Sequence, residues 1–250
     1  PPPPATHPPP TPHTPTRQSS SAASDVYKRQ AQSDEPTARG DADWEGRLLN
    51  RLLAKDEAGA WSVVEAALAS GLSPTGVYTQ MITPSLARIG SLWESGEITV
   101  GDEHAAAHIA GRIIARIGPK MTSRGVRRGT VVLGSTSTDL HDLPITILAD
   151  MLRAERFDVI DLGANLPPES FAAAVAQSDS VVAAAIGVTI AGQENAVSET
   201  VAAIRRVSDA PLLIGGAGID ADTAIELGAS ASARTGDEAV AAINALVAAN

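Results

Sequence analysis

From Trp44 to about Gly118 apolar side chains recur at intervals of three and four. They run Leu48, Leu49, Leu52 and Leu53, then Val63, Val64, Ala67 and Leu68, then Val77, Met81, Ile82, Leu86 and Ile89, and finally His104 to Ile117. That period is the signature of amphipathic helices and predicts four of them. Gly71 with Pro74 divides the second from the third, and Ser91 to Val100 divides the third from the fourth. Thr99, three residues before Asp102, forms a capping box that places Glu103 and His104 in the first turn of the fourth helix. Beyond Gly129 the period changes. Short apolar runs ending in glycine, at Thr130–Gly134, Asp158–Gly163, Val181–Gly187 and Pro211–Gly215, alternate with helical stretches near 142–156, 168–177, 193–207, 220–227 and 237–248. A fifth run at Ser230–Arg234 is weaker, because alanine and serine are poor strand formers. Alternation of this kind means right-handed βαβ units and a parallel sheet covered on both faces. The expectation is an α/β chain with a four-helix bundle cap over 43–118, a linker rich in Arg and Gly over 119–129, and a flavodoxin- or Rossmann-like five-stranded parallel domain over 130–250.

Composition adjusts this picture at one end. Nine of the 17 prolines fall in the first 16 residues, and a Ser/Ala run follows. Such a stretch buries too little apolar surface to offset its ordering entropy, so residues 1–42 are read as a disordered or artefactual tail. The chain after residue 40 carries 15 basic and 26 acidic residues, a net charge of −11. A surface this acidic repels phosphate backbones and anionic headgroups, and only seven aromatic residues are available for stacking on bases. Neither direct nucleic-acid binding nor membrane association is expected. The absence of cysteine removes disulfides, thiolate metal sites and cysteine nucleophiles. With no apolar span or signal-peptide core, a cytoplasmic location is expected.

In an open parallel sheet, ligands sit beyond the carboxyl ends of the strands. The loops there are 135–143, 164–168, 188–193 and 216–219. His141 lies in the first, two residues after Asp139. A carboxylate that accepts from one ring nitrogen fixes the tautomer and raises the basicity of the other, an arrangement suited to a metal-bound imidazole.

Asp139-Leu-His141-Asp-Leu-Pro144 resembles the Asp-x-His-x-x-Gly signature of base-off, His-on cobalamin-binding domains. That resemblance implies His141 as the lower cobalt ligand, in place of the vitamin's own dimethylbenzimidazole, with the displaced nucleotide tail threaded into the sheet. The family's Ser-x-Leu element, 42 residues on, aligns with Gly187-Val188-Thr189, and its Gly-Gly pair with Gly215-Gly216. Glycine suits a tail that enters between strands. Two positions depart from the pattern. Pro144 replaces a glycine, and Gly187 lacks the serine hydroxyl, for which Thr189 is the substitute at hand.

The helical half resembles the cap over the upper corrin face in methionine synthase and related corrinoid proteins. Trp93, nine residues, then Glu103-His104 is similar to the Trp-x9-Glu-His pattern of adenosylcobalamin-dependent light-sensing repressors of the MerR type. That implies Trp93 against the adenosyl group and Glu103 and His104 at the ligand; His108, one turn on, reads equally as bundle packing. Glu94 stands where those sensors have a histidine. Nothing before Trp44 resembles their DNA-binding domain, so either a stand-alone module or a chain that has lost its true N-terminus is expected. The leading expectation is a non-enzymatic, light-responsive adenosylcobalamin sensor acting through a second copy of itself or a regulatory partner. The alternative is a corrinoid carrier of a methyltransferase system, using methylcobalamin. An adenosylcobalamin mutase subunit is the weaker third reading, since no substrate barrel is present.

Overall fold

The computed structural model describes residues 43–249, so the tail reading falls outside the described residues. The first layer is helical. It comprises α1 (Trp44–Leu53), α2 (Glu57–Ala69), α3 (Pro74–Val77), which continues through a π turn (Tyr78–Ile82) into α4 (Thr83–Glu94), and α5 (Val100–Met121). Polar caps set the starts. Asp43, Asp56 and Ser73 accept from the amides of Gly46, Gly59 and Gly76. Thr99 and Asp102 form the expected reciprocal box at α5. The Lys55 ammonium, 2.7 Å from Asp102, and then the Thr99 hydrogen bonds hold that carboxyl well below the usual range. Leu48, Leu52, Val64, Ile89, Ile113 and Ile117 form the interior.

Two helix ends differ from the periodicity. Ser91–Glu94, expected between helices, belongs to α4, because Leu92 continues the buried row from Ile89. The helix stops where Gly96, at φ +75°, donates to the Trp93 carbonyl and Glu97 to that of Leu92, a Schellman motif. The linker expected over 119–129 loses its first three residues to α5. Pro119 removes one backbone donor near the helix end, and buried Met121 keeps the last turn packed.

The second layer is a doubly wound sheet. In chain order it runs β1 (Thr130–Ser135), α6 (Leu143–Ala154), β2 (Asp158–Asp161), α7 (Pro168–Gln177), β3 (Val181–Gly187), α8 (Glu194–Arg205), β4 (Leu212–Gly215), α9 (Ala221–Glu226), β5 (Ala231–Ala233) and α10 (Gly236–Ala248). All pairings are parallel, in the order β2-β1-β3-β4-β5. β5 holds only three residues, as its composition implied. Val132, Ala184, Ile186 and Ile214 face one core with Phe171 and Val197. Val131, Leu133, Ala185 and Leu213 face the other, with Ile145 of α6 and Ile243 of α10. Strand order reverses between β1 and β3, which puts the switch point at their carboxyl ends. Among the described residues no helix is long and apolar enough to cross a membrane.

The layers join along α5 and α6. Gly111 lies against Leu143 and Gly118 against Asp150, so a step of seven on one helix matches a step of seven on the other and the helices run parallel. The bundle core continues onto Ile147 and Met151 of α6. Within this seam the Asp150 carboxylate, almost fully buried, accepts from Tyr78 Oη at 2.8 Å and from Arg153 Nη1 at 2.9 Å. Burial, reinforced by the hydrogen bond to Asp150, pushes the Tyr78 phenol far above its ordinary range.

A Cβ at Gly118 would lie 2.5 Å from Asp150 Oδ2, an atom that Tyr78 and Arg153 leave no room to move. Gly118→Ala should therefore cost about 1–3 kcal/mol in urea unfolding. Gly90→Ala, where a Cβ meets nothing within 4 Å, should be neutral or stabilising by up to about 1 kcal/mol. Because folding raises the Tyr78 pKa, the contribution of the neutral phenol is whole below the ordinary value of 10.0 and is lost as pH climbs above it. Tyr78→Phe should flatten that alkaline loss of stability, measured by thermal melting across pH.

Candidate functional site

The loop after β1 turns on one carboxylate. Asp139 is fully buried. Its Oδ1 accepts the His141 backbone N–H at 3.2 Å and lies 2.9 Å from His141 Nδ1, while its Oδ2 accepts the Thr189 backbone N–H at 2.6 Å. With Nδ1 donating to Asp139, the lone pair sits on Nε2, on a ring whose side chain is 53% exposed. A single imidazole in this pose suits a metal ion that arrives with its other donors already attached.

The loop is strained to hold this pose. Thr138 has φ +74°, costly for a β-branched residue by about 1–3 kcal/mol. Its N–H donates to Asn165 Oδ1 at 2.9 Å and its hydroxyl to Gln193 Oε1 at 3.0 Å. Asn165, itself at φ +57°, donates its N–H to the Asp139 carbonyl at 2.8 Å. Sequence reasoning missed Asn165 and Gln193. The one local signal is an asparagine between Gly163 and Pro167, since asparagine tolerates the left-handed turn conformation.

Beside the loop, Gly187, Thr189, Gly215 and Gly216 line one cavity of about 100 Å³, walled on the other side by Pro144 and Ile145 at the start of α6. Thr189 thus borders the cavity and donates to Asp139. A Cβ at Gly215 would run into the Ala233 carbonyl, and one at Gly216, at φ +131°, into the Val188 carbonyl. At Gly187 it would meet only the movable tip of Ile145. The hydroxyl absent from Gly187 has a neighbour in Ser135, the residue paired with it across the sheet. Pro144 sits in the first turn of α6, where a proline is compatible with the helix.

The cap residues lie on the same edge of the sheet. Because α5 and α6 are parallel and Gly111 meets Leu143, the first eleven residues of α5 project roughly 16 Å past the start of α6. Glu103 and His104 therefore stand beyond the strand ends, their side chains 3.9 Å apart and 27% and 75% exposed. His108 is exposed on the same projection. Trp93, at the end of α4, is half-exposed. Among the described residues no hydrogen bond ties Trp93, Glu103 or His104 to the His141 loop. The structure brings together Asp139, His141, Thr189 and the three glycines.

Residues 129–244 match the family described as "B12 binding domain", and residues 44–117 match a second family of the same description. The trimethylamine corrinoid protein 1 of Methanosarcina acetivorans is 26% identical over 77% of this chain and 91% of its own length. The trimethylamine corrinoid protein of Methanosarcina barkeri is 27% identical over 76% and 90%. In fold the chain is similar to the solved monomethylamine corrinoid protein of Methanosarcina barkeri, with a TM-score of 0.69 at 20% identity, covering 79% of this chain and 96% of that one. These relatives overturn the light-sensor expectation. A tryptophan and a Glu-His pair over a corrinoid site do not specify an adenosyl ligand, and Glu94 had already broken the sensor pattern. From Trp44 to Asn244, the chain is a cobalamin-binding-domain protein, its helical and α/β parts each matching a B12 binding domain.

Proposed function

We propose that this chain is a corrinoid carrier of a methyltransferase system, a protein that passes a methyl group between partners and is not itself the catalyst. The observation that carries the reading is its similarity, through both halves, to trimethylamine corrinoid proteins along 90% or more of their length. The residues fit the group. His141 Nε2 would be the lower cobalt ligand, with Asp139 holding the tautomer and the Thr189 N–H holding Asp139. The cavity bordered by Gly187, Gly215 and Gly216 would take the nucleotide tail, since a side chain at either of the last two would collide with backbone. When bound, cobalamin supplies a cobalt centre that accepts a methyl group and gives it up. The overhanging end of α5 would cover the upper side of that centre, and the exposed Trp93 and Val100 leave an apolar rim at the same end of the bundle.

Protein loaded with cobalamin under reducing conditions and mixed with a methylated-amine methyltransferase should take up about one isotope-labelled methyl group per chain. Full cobalamin loading without label would overturn the carrier reading. His141→Ala should lose the nitrogen-ligated cobalt signal in electron paramagnetic resonance, and Asp139→Asn should weaken ligation about 10- to 100-fold while retaining it.

The glycines separate fold from ligand. Gly216→Ala should cost about 1–3 kcal/mol of stability, because its φ and the Val188 carbonyl both oppose a side chain. Gly187→Ala should leave melting nearly unchanged, since Ile145 can shift. By narrowing the cavity it should weaken cobalamin retention about tenfold, or ~1.4 kcal/mol, measured by equilibrium dialysis.

A further inference from the structure

The His141 loop is gripped from both neighbouring strands, and the grip on Thr138 and Asp139 from the β2 side is a single residue, through its side chain and its backbone N–H. Asn165 follows β2, in the turn between Gly163 and Pro167, and accepts the Thr138 N–H on Oδ1 at 2.9 Å. Its own N–H donates to the Asp139 carbonyl at 2.8 Å. The two bonds bracket the Thr138–Asp139 peptide. Around them the backbone is already zipped, with Leu166 N donating to the Ser135 carbonyl and Thr136 bridging to Leu166. Thr138, with φ +74°, would relax toward negative φ if released. That rotation would swing the Asp139 side chain out of reach of the Thr189 N–H and His141 Nδ1, which it meets at 2.6 and 2.9 Å.

We propose that Asn165 is a positioning residue for the cobalt ligand: by pinning the Thr138–Asp139 peptide it keeps the Asp139 carboxylate on His141 and so sets how strongly His141 binds the metal. The inference rests on the proposed cobalamin site and assigns it a residue outside the Asp-x-His motif. Asparagine suits the position on two counts. It adopts the left-handed conformation readily, and its amide oxygen has the reach of one backbone acceptor. Gln193 holds the Thr138 hydroxyl but touches neither end of that peptide, so it does not replace Asn165.

The test compares Asn165→Gly, which keeps the left-handed backbone and deletes the acceptor, with Asn165→Asp, which keeps both. Each is loaded with cobalamin, reduced to the cobalt(II) state and read by the nitrogen splitting in electron paramagnetic resonance. Melting of the unloaded protein is followed alongside. Asn165→Gly should lower the equilibrium constant for His141 ligation about tenfold, with cobalamin stoichiometry and melting close to the unaltered protein, and Asn165→Asp should restore the splitting. Full nitrogen ligation in Asn165→Gly would overturn this assignment and leave the cobalamin site standing. Equal loss of ligation and melting in both variants would also overturn it, making Asn165 a structural turn residue. Absence of nitrogen splitting in the unaltered protein would remove His141 as the ligand, and the role of Asn165 with it.

Discussion

The Asp139 carboxylate is the constraint on which the site's geometry depends. It is fully buried, and a charged oxygen taken out of water must find donors. It finds them on two separate segments, the His141 backbone and ring on its own loop and the Thr189 amide beyond β3. The first orients an imidazole; the second ties that imidazole to a wall of the glycine-lined cavity. The His141 ring and the glycine-lined cavity are thereby set in one frame, joined through the Asp139 side chain. Thr138 takes its strained backbone in the loop that turns the Asp139 side chain inward four residues past the strand end.

The bundle is placed by a different device. Gly111 and Gly118, seven residues apart on α5, let that helix lie close along α6, and the Tyr78–Asp150–Arg153 cluster fills the seam with matched donors and acceptors. The π turn that carries Tyr78 matters here, since an extra residue in the turn re-aims the side chain relative to the α-helical rows on either side. Parallel packing of α5 on α6 then dictates where the start of α5 lies. A helix of 22 residues against one of 12 must overhang, and this one overhangs at the carboxyl edge of the sheet.

How much of this was legible in the sequence follows from how local each feature is. The strands ending at Gly187 and Gly215 and the helices between them announce themselves through period and punctuation. Asp139 and His141 could be named because their partnership spans two residues. The ends of α4 and α5 were misjudged for one reason: Leu92 and Met121 extend buried rows past residues that usually interrupt a helix. Asn165, Gln193 and the Tyr78–Asp150 pair stayed hidden because each acts across a gap of 27 to 72 residues, fixed by strand order and not by spacing. Similarly, Trp93 and Glu103 could be matched to a sensor pattern, yet the pattern does not specify what lies beneath them.

The site at the strand ends is specific: one imidazole, one buried carboxylate, and a cavity lined by glycines where backbones nearly touch. The cap end formed by the last residues of α4 and the start of α5 is open. Trp93 is 47% exposed, Val100 51%, and His104 carries three-quarters of its side chain into solvent. A cap that must yield to one partner and then another does better with an apolar rim, and with its firm contacts kept at the far end of the helices. Here those contacts are the Gly118 seam and the Tyr78 cluster, 18 and 14 residues along α5 from its start where they meet it at Gly118 and Ile114. The bundle is fastened at one end and exposed at the other, an arrangement in keeping with a carrier whose cargo must be reached from outside.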